Sequence, residues 1–198
     1  MDKRKKEEAD HRLLPGKLLP LLGFLCAGLL GLGLILYPVV SNSLYDARQD
    51  GVIRNYQTQI VSSQEVTIAH ALESARAYNR QLATGVLSLH DPFLSPTTAD
   101  EDGDQRSLLD VTGTGVIATL DIPALALTLP VYYGTEAETL EHGIGVLEIS
   151  SLPVGGENTH SVLCGHSGLS TAKLFSDLEL LKLGDRFSID VLGDVLTY

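Results

Sequence analysis

Apolar and polar positions follow three different rhythms along this chain. From Leu18 to Val40, 23 consecutive residues carry no charge. A helix rises about 1.5 Å per residue, so such a run can cross a hydrocarbon core of about 30 Å. Further on, Ile68, Leu72, Ala75, Tyr78 and Leu82 recur at steps of three and four, which lines them along one helix face. From Gly115 the signal turns to strands. Val116 to Ile122 is rich in branched residues and ends at Pro123, and Leu125 to Tyr133 is a second such run closed by Gly134. Ile144 to Ile149, Ser161 to Cys164, Arg186 to Val191 and Val195 to Tyr198 follow, separated by Gly, Pro and Asn punctuation. Many short strands at this spacing predict a sandwich or a barrel. Leu174, Leu178 and Leu181 stand at helical steps and predict one short helix over Thr171 to Lys182.

Residues 41–84 read as a helical segment. Asn42 or Ser43 offers an N-cap for an earlier helix, with Asp46 favourable in its first turn. Gly51 weakens that helix and is a candidate break. His70 reads as a solvated or packed helix residue rather than a ligand. Residues 85–114 change character: two prolines in His90-Asp91-Pro92-Phe93-Leu94-Ser95-Pro96 forbid regular helix or central strand. Thr97 to Asp104 is polar and acidic, as solvated loops are. Its acids do not follow the spacing of a calcium-binding loop, so no calcium is expected there.

Charge then sorts the two ends of the long apolar run. Residues 1–17 carry six Lys/Arg against four acids, a net of +2, which leaves −13 on the remainder of a chain of net −11. Basic residues just before an apolar span favour an N-terminus kept in the cytoplasm. The run is longer than the apolar region of a cleaved signal peptide, and Tyr37-Pro38-Val39-Val40 does not resemble a cleavage site. A single retained N-terminal anchor in the cell membrane is expected, with residues from about 41 onward outside the cell; cleavage is the competing reading. The acidic balance repels phosphate backbones, so nucleic acid is not an expected partner. Only Cys26 and Cys164 are present, and one exported cysteine has no partner within the chain, so the domain must rest on its core.

The segment that carries chemistry is Thr159 to Leu169. A strand-like run ends in Gly165-His166, which puts a histidine at a strand end on a turn, where catalytic groups often sit. A histidine there can act as acid or base near neutral pH. On position alone, an ordinary surface histidine fits equally well. Cys164 is a poor nucleophile for His166. At i and i+2 on one strand their backbones lie roughly 6.6 Å apart, and parallel side chains do not readily close to hydrogen-bond distance. Cys164 reads as a buried small apolar residue, with a reactive thiol as the alternative. Gly113-Thr114-Gly115 and Gly143-Ile144-Gly145 lack what phosphate loops need, and no Cys/His set offers zinc ligands. No cofactor and no metal are expected. Asp121, Glu141 and Glu148 are separated single acids, not a paired-carboxylate site.

Taken in order, Asp91-Pro92-Phe93, Leu120-Asp121-Ile122-Pro123, Leu129-Pro130-Val131-Tyr132-Tyr133-Gly134-Thr135, Ser151-Leu152-Pro153-Val154-Gly155-Gly156, Thr159-His160-Ser161, Gly165-His166, Lys173-Leu174-Phe175-Ser176-Asp177-Leu178 and Gly184-Asp185-Arg186-Phe187 resemble the class C sortases. These are transpeptidases that build pili on Gram-positive-type cell walls. The resemblance implies a mainly β protein, a sortase-type closed β-barrel. It implies this layout: a cytoplasmic tail over 1–17, a transmembrane anchor over 18–40, a helical segment over 41–84, a lid and acidic loop over 85–114, and a partial barrel over 115–198. It places His166 on the family's catalytic histidine and Asp91, Pro92 and Phe93 in a lid over the active site. His160 falls nearby, as packing or polar support. The implied partners are pilin or surface proteins bearing LPXTG-type signals, cut between Thr and Gly and joined through a lysine amine.

The chain also departs from the family. Ser167 stands where arginine often follows Gly-His, and Val146 where a histidine is frequent. The nucleophilic cysteine and an arginine belong to later strands that are absent before Tyr198. An N-terminal portion of such an enzyme, inactive by itself and poorly stable, is therefore expected. A non-catalytic membrane-tethered remnant or interaction module is the alternative.

Overall fold

The computed structural model describes residues 15–84, 108–169 and 171–198, with the side chains of 15–19 left aside. The chain divides into two compact units, residues 1–41 and 42–198.

Helix α1 runs from Pro15 to Ser62. Its apolar stretch is long and apolar enough to cross a membrane, with none of the window buried inside the protein. The expected cap at Asn42 or Ser43 is not a cap, because the helix is already running there, and Gly51 does not break it. The reason is tertiary. Ile53 and Tyr56, just beyond Gly51, are 6% and 1% exposed, and packing of this kind outweighs a propensity cost of about 1 kcal/mol. Helix α2, Glu65–Ala83, follows after a two-residue break. Ala71, Ala75 and Asn79 are its buried positions, and Ile68, Leu72 and Tyr78 pack against the same core. The periodic face read from the sequence is thus the face that is used.

Six strands form one sheet: β1 Val116–Ile122, β2 Leu127–Tyr133, β3 Ile144–Val146, β4 Leu163–Cys164, β5 Ser188–Val191 and β6 Asp194–Thr197. Their order is β4-β3-β2-β1-β5-β6. All neighbours are antiparallel except β2 and β3. That parallel pair is bridged by the short helix α3, Ala137–His142, as parallel strands require a crossover. Among the described residues the sheet is open, with β4 and β6 at its edges. β1 is central, and every residue in it but Asp121 is buried. Side chains alternate faces along a strand, so β1 is covered on both sides.

The expected helix over Thr171 to Lys182 is replaced by turns and a single 3-10 turn at Leu178–Leu180. Leu174 has a φ of 39°, outside the helical region. The Phe175 amide donates to the His166 carbonyl at 3.0 Å, which takes the donor that a helix would have used.

Three buried polar side chains tie the two long helices to backbone far along the chain. Gln49 Nε2 of α1 donates to the His142 carbonyl at 2.6 Å. Tyr56 Oη of α1 donates to the Ile117 carbonyl of β1 at 3.2 Å and accepts from the Leu192 amide at 3.1 Å. Asn79 of α2 pairs with both backbone groups of Leu152. Leu192 and Gly193, with φ of 55° and 90°, make the tight turn between β5 and β6; two positive φ values in a row suit a two-residue hairpin. Replacing Tyr56 by Phe removes only a hydroxyl yet strands two buried backbone groups. Tyr56→Phe is expected to lower stability by about 1–3 kcal/mol, read as a lower urea midpoint for the full chain in detergent micelles.

Candidate active site

The site grows from the β3–β4 pair. Gly145 lies opposite Cys164 and Val146 opposite Leu163. Below the pair, a zipper of loop bonds continues it. The Leu147 amide donates to the Val162 carbonyl at 2.9 Å, and the Ser151 amide to the His160 carbonyl at 2.9 Å. Two buried serines answer from the other side: Ser150 Oγ accepts from the Val162 amide at 3.0 Å, and Ser151 Oγ from the His160 amide at 3.1 Å. The chain above β4 is therefore aimed by a ladder longer than the two-residue strand itself.

Gly165 ends the strand in a gap with no room for a side chain. A Cβ there would lie 2.8 Å from Ile144 Cγ2 and 2.9 Å from Phe175 Cδ2. The close approach of backbone to these two side chains fixes the path into His166, whose carbonyl is then held by the Phe175 amide. Two residues on, the Gly168 amide donates to Ser176 Oγ at 2.8 Å. The 173–178 segment thus holds the Gly-His turn at two points. The His166 side chain is half-buried, with exposed Ser167 and Gly168 beyond it, so the backbone is braced while the imidazole keeps access to solvent.

Cys164 stands two residues before His166 and is half-buried. Burial pushes its thiol up from the ordinary range, and the Glu148 carboxylate adds to the effect. A raised thiol carries less thiolate at neutral pH, the opposite of what a nucleophile needs. Glu148 is itself anchored, accepting from the Thr135 amide at 3.0 Å and from Thr135 Oγ1 at 3.2 Å. Electrostatics therefore agrees with strand geometry in arguing against Cys164 as the nucleophile.

A cavity of about 500 Å³ lies on the other face of β4, lined among others by Leu163, Ser161, His160, Phe187, Ile189 and Tyr198. Leu163 points into it, so Cys164 next along the strand points away. His166 is not among its lining residues. The His160 side chain is exposed and borders this cavity and a second of about 360 Å³, while its backbone holds the loop before β4. Asp91, Pro92 and Phe93 lie outside the described residues. Glu148, Phe175 and Ser176 were not singled out by sequence reasoning as supports of the site. Each acts across a distance in the chain that no local pattern reveals, although Phe175 and Ser176 fall within a motif that does.

Comparison with known proteins places this geometry. The sortase domain family matches residues 120–198. Sortase C1 from Streptococcus agalactiae is 38% identical, with a TM-score of 0.66, over 74% of this chain and 72% of that one. Sortase C-1 from Actinomyces oris is 43% identical, with a TM-score of 0.57, over 66% of this chain and 72% of that one. Streptococcus pneumoniae sortase C is 37% identical, with a TM-score of 0.62, over 75% and 72%. No protein in the curated set matches. The six-stranded sheet, with a histidine leaving β4 on a braced turn, is a sortase fold, and the chain belongs to the sortases. Within that family its structural neighbours include several class C members.

The raised thiol gives a direct test. In a Cys26→Ala background, Cys164 is expected to react with iodoacetamide more slowly than free cysteine at pH 8, along a rate curve displaced to higher pH. Glu148→Gln should move that curve back down. A fast-reacting Cys164 at neutral pH would contradict the raised thiol and reopen Cys164 as a nucleophile.

Proposed function

We propose that this chain carries the acid/base histidine of a membrane-anchored class C sortase that joins pilin subunits outside the cell. The observation that carries the proposal is the placing of His166, half-buried at the end of β4 and braced through its own carbonyl, in a chain that belongs to the sortases. The long apolar run of α1 supports the anchor, and the basic residues before it support an outward-facing domain. The Streptococcus pneumoniae relative is described with pilin substrate specificity, which favours pilins bearing LPXTG-type signals as the substrates here.

In the proposed reaction a cysteine thiolate attacks the Thr carbonyl of the sorting signal. The Thr–Gly C–N bond breaks, and His166 gives a proton to the departing Gly amine. An arginine stabilises the oxyanion. A lysine amine of the next pilin then attacks the thioester, forms the new amide bond and releases the thiol. Neither cysteine here suits the first step. Cys26 lies in the apolar stretch of α1, and the Cys164 thiol is pushed up by burial and by Glu148. That inventory favours one other reading, a membrane-tethered module without catalysis of its own.

Two experiments decide between them. The 198-residue chain is expected to cleave no LPXTG-type peptide, and turnover dependent on His166 would mean that one of these two cysteines is the nucleophile after all. In the native cell, a chromosomal His166→Ala change is expected to abolish the ladder of covalently joined pilins in wall extracts, a loss of about a hundredfold or more. An undiminished ladder would leave the tethered module as the surviving reading.

A further inference from the structure

We infer that Asn79 of α2 is a positioning residue for His166, an inference that rests on the catalytic reading of that histidine. Asn79 is 2% exposed, a polar side chain almost wholly inside the protein. Its amide is fully used on one backbone unit 73 residues away. Nδ2 donates to the Leu152 carbonyl at 2.9 Å, and Oδ1 accepts from the Leu152 amide at 2.8 Å. A carboxamide matched donor to acceptor and acceptor to donor against the C=O and N–H of one residue behaves as one rung of a sheet. Such a rung fixes both the position and the rotation of the segment that it grips.

What Asn79 grips leads to the site. Leu152 follows Ser150 and Ser151, the two buried serines whose hydroxyls hold the Val162 and His160 amides. Val162 and His160 are in turn bonded back to Leu147 and Ser151 through their carbonyls. From Val162 the chain passes through β4 to Gly165 and His166. Every link between Asn79 and the histidine is thus a short hydrogen bond or a few covalent residues. The Leu152 carbonyl has a second donor, the Val154 amide at 2.8 Å, whereas among the described residues its amide has Asn79 alone. Loss of the carboxamide therefore orphans the Leu152 N–H specifically, and the loop can recover only by rotating.

The other two buried anchors do not share this path. Tyr56 meets β1 and the β5–β6 turn, and Gln49 meets the end of α3. Tyr56→Phe is accordingly a control that weakens the fold without touching the ladder under His166.

The test uses the full chain in detergent micelles, with ring-labelled histidine followed by NMR and amide exchange followed by mass spectrometry. Asn79→Ala is expected to move the His166 ring signal and to speed exchange over 160–164 by about tenfold or more, as loss of a buried partner implies. Tyr56→Phe is expected to leave the His166 signal in place. Asn79→Asp supplies the rescue. Protonated, its carboxyl has the same donor and acceptor pattern as the amide; ionised, it still accepts from the Leu152 N–H but sets its second oxygen against the Leu152 carbonyl, and that repulsion turns the loop. The His166 signal in Asn79→Asp should therefore match wild type at acid pH and depart from it as pH rises, with wild type measured over the same range. Where Asn79→Ala fails to fold, Asn79→Asp alone carries the test. A folded Asn79→Ala or an ionised Asn79→Asp with the wild-type His166 signal would overturn the inference. So would a Tyr56→Phe change that moves that signal equally. None of these outcomes depends on turnover, so failure here is distinct from failure of the sortase chemistry.

Discussion

The central strand is closed to solvent on both faces, and the rest of the domain is arranged around that closure. Residues 116–120 and 122 are all buried although their side chains alternate sides. One strand can satisfy such a sequence only if something covers each face. Tyr56 shows what covers one of them, since its hydroxyl lies on the Ile117 carbonyl and its ring is inside the core. β2 pairs along one edge of β1 and β5 takes the other over Thr119 to Asp121. The other elements then attach outward from it, and β4 is the third strand away on the side of β2.

Distance from that centre explains what could be read from the chain by itself. The ends of β1 coincide with the branched run between Gly115 and Pro123, because burial on both faces demands unbroken apolar character and Pro123 stops it. The face of α2 was equally legible, since a helix packed on one side must repeat its apolar residues at helical steps. Legibility fades toward the edge. Ile144 to Ile149 and Ser161 to Cys164 looked like strands, but only Ile144–Val146 and Leu163–Cys164 are paired as such. Their extent depends on where a partner stops, and Ser150 and Ser151 take over from backbone pairing beyond it. The leucines of the 171–182 segment have helical spacing for a different reason: Leu174 and Leu181 reach the core from turns.

The candidate site was legible in its type and not in its supports. Gly165-His166 stood out because a glycine and a histidine at a strand end are chemically conspicuous, and the ordered motifs around them named a family. That glycine proves to be steric in purpose, leaving space for Ile144 and Phe175. The sequence argument against Cys164 rested on spacing, and the structure adds a second cause, an acidic neighbour in a half-buried place. Asn79 gave no signal beyond being a polar residue one step past Tyr78 on an otherwise apolar face. Its partner is a main-chain group, which leaves no trace in side-chain pattern.

The Tyr56–Leu192 bond has a consequence in time as well as in space. Its two ends are 136 residues apart, and synthesis at roughly 5–20 residues per second separates their appearance by on the order of ten seconds. The β5–β6 hairpin, by contrast, closes within microseconds once made. α1 therefore leaves the ribosome well before the β5–β6 turn that its Tyr56 holds. Whatever escorts the nascent chain has its longest task at its oldest end.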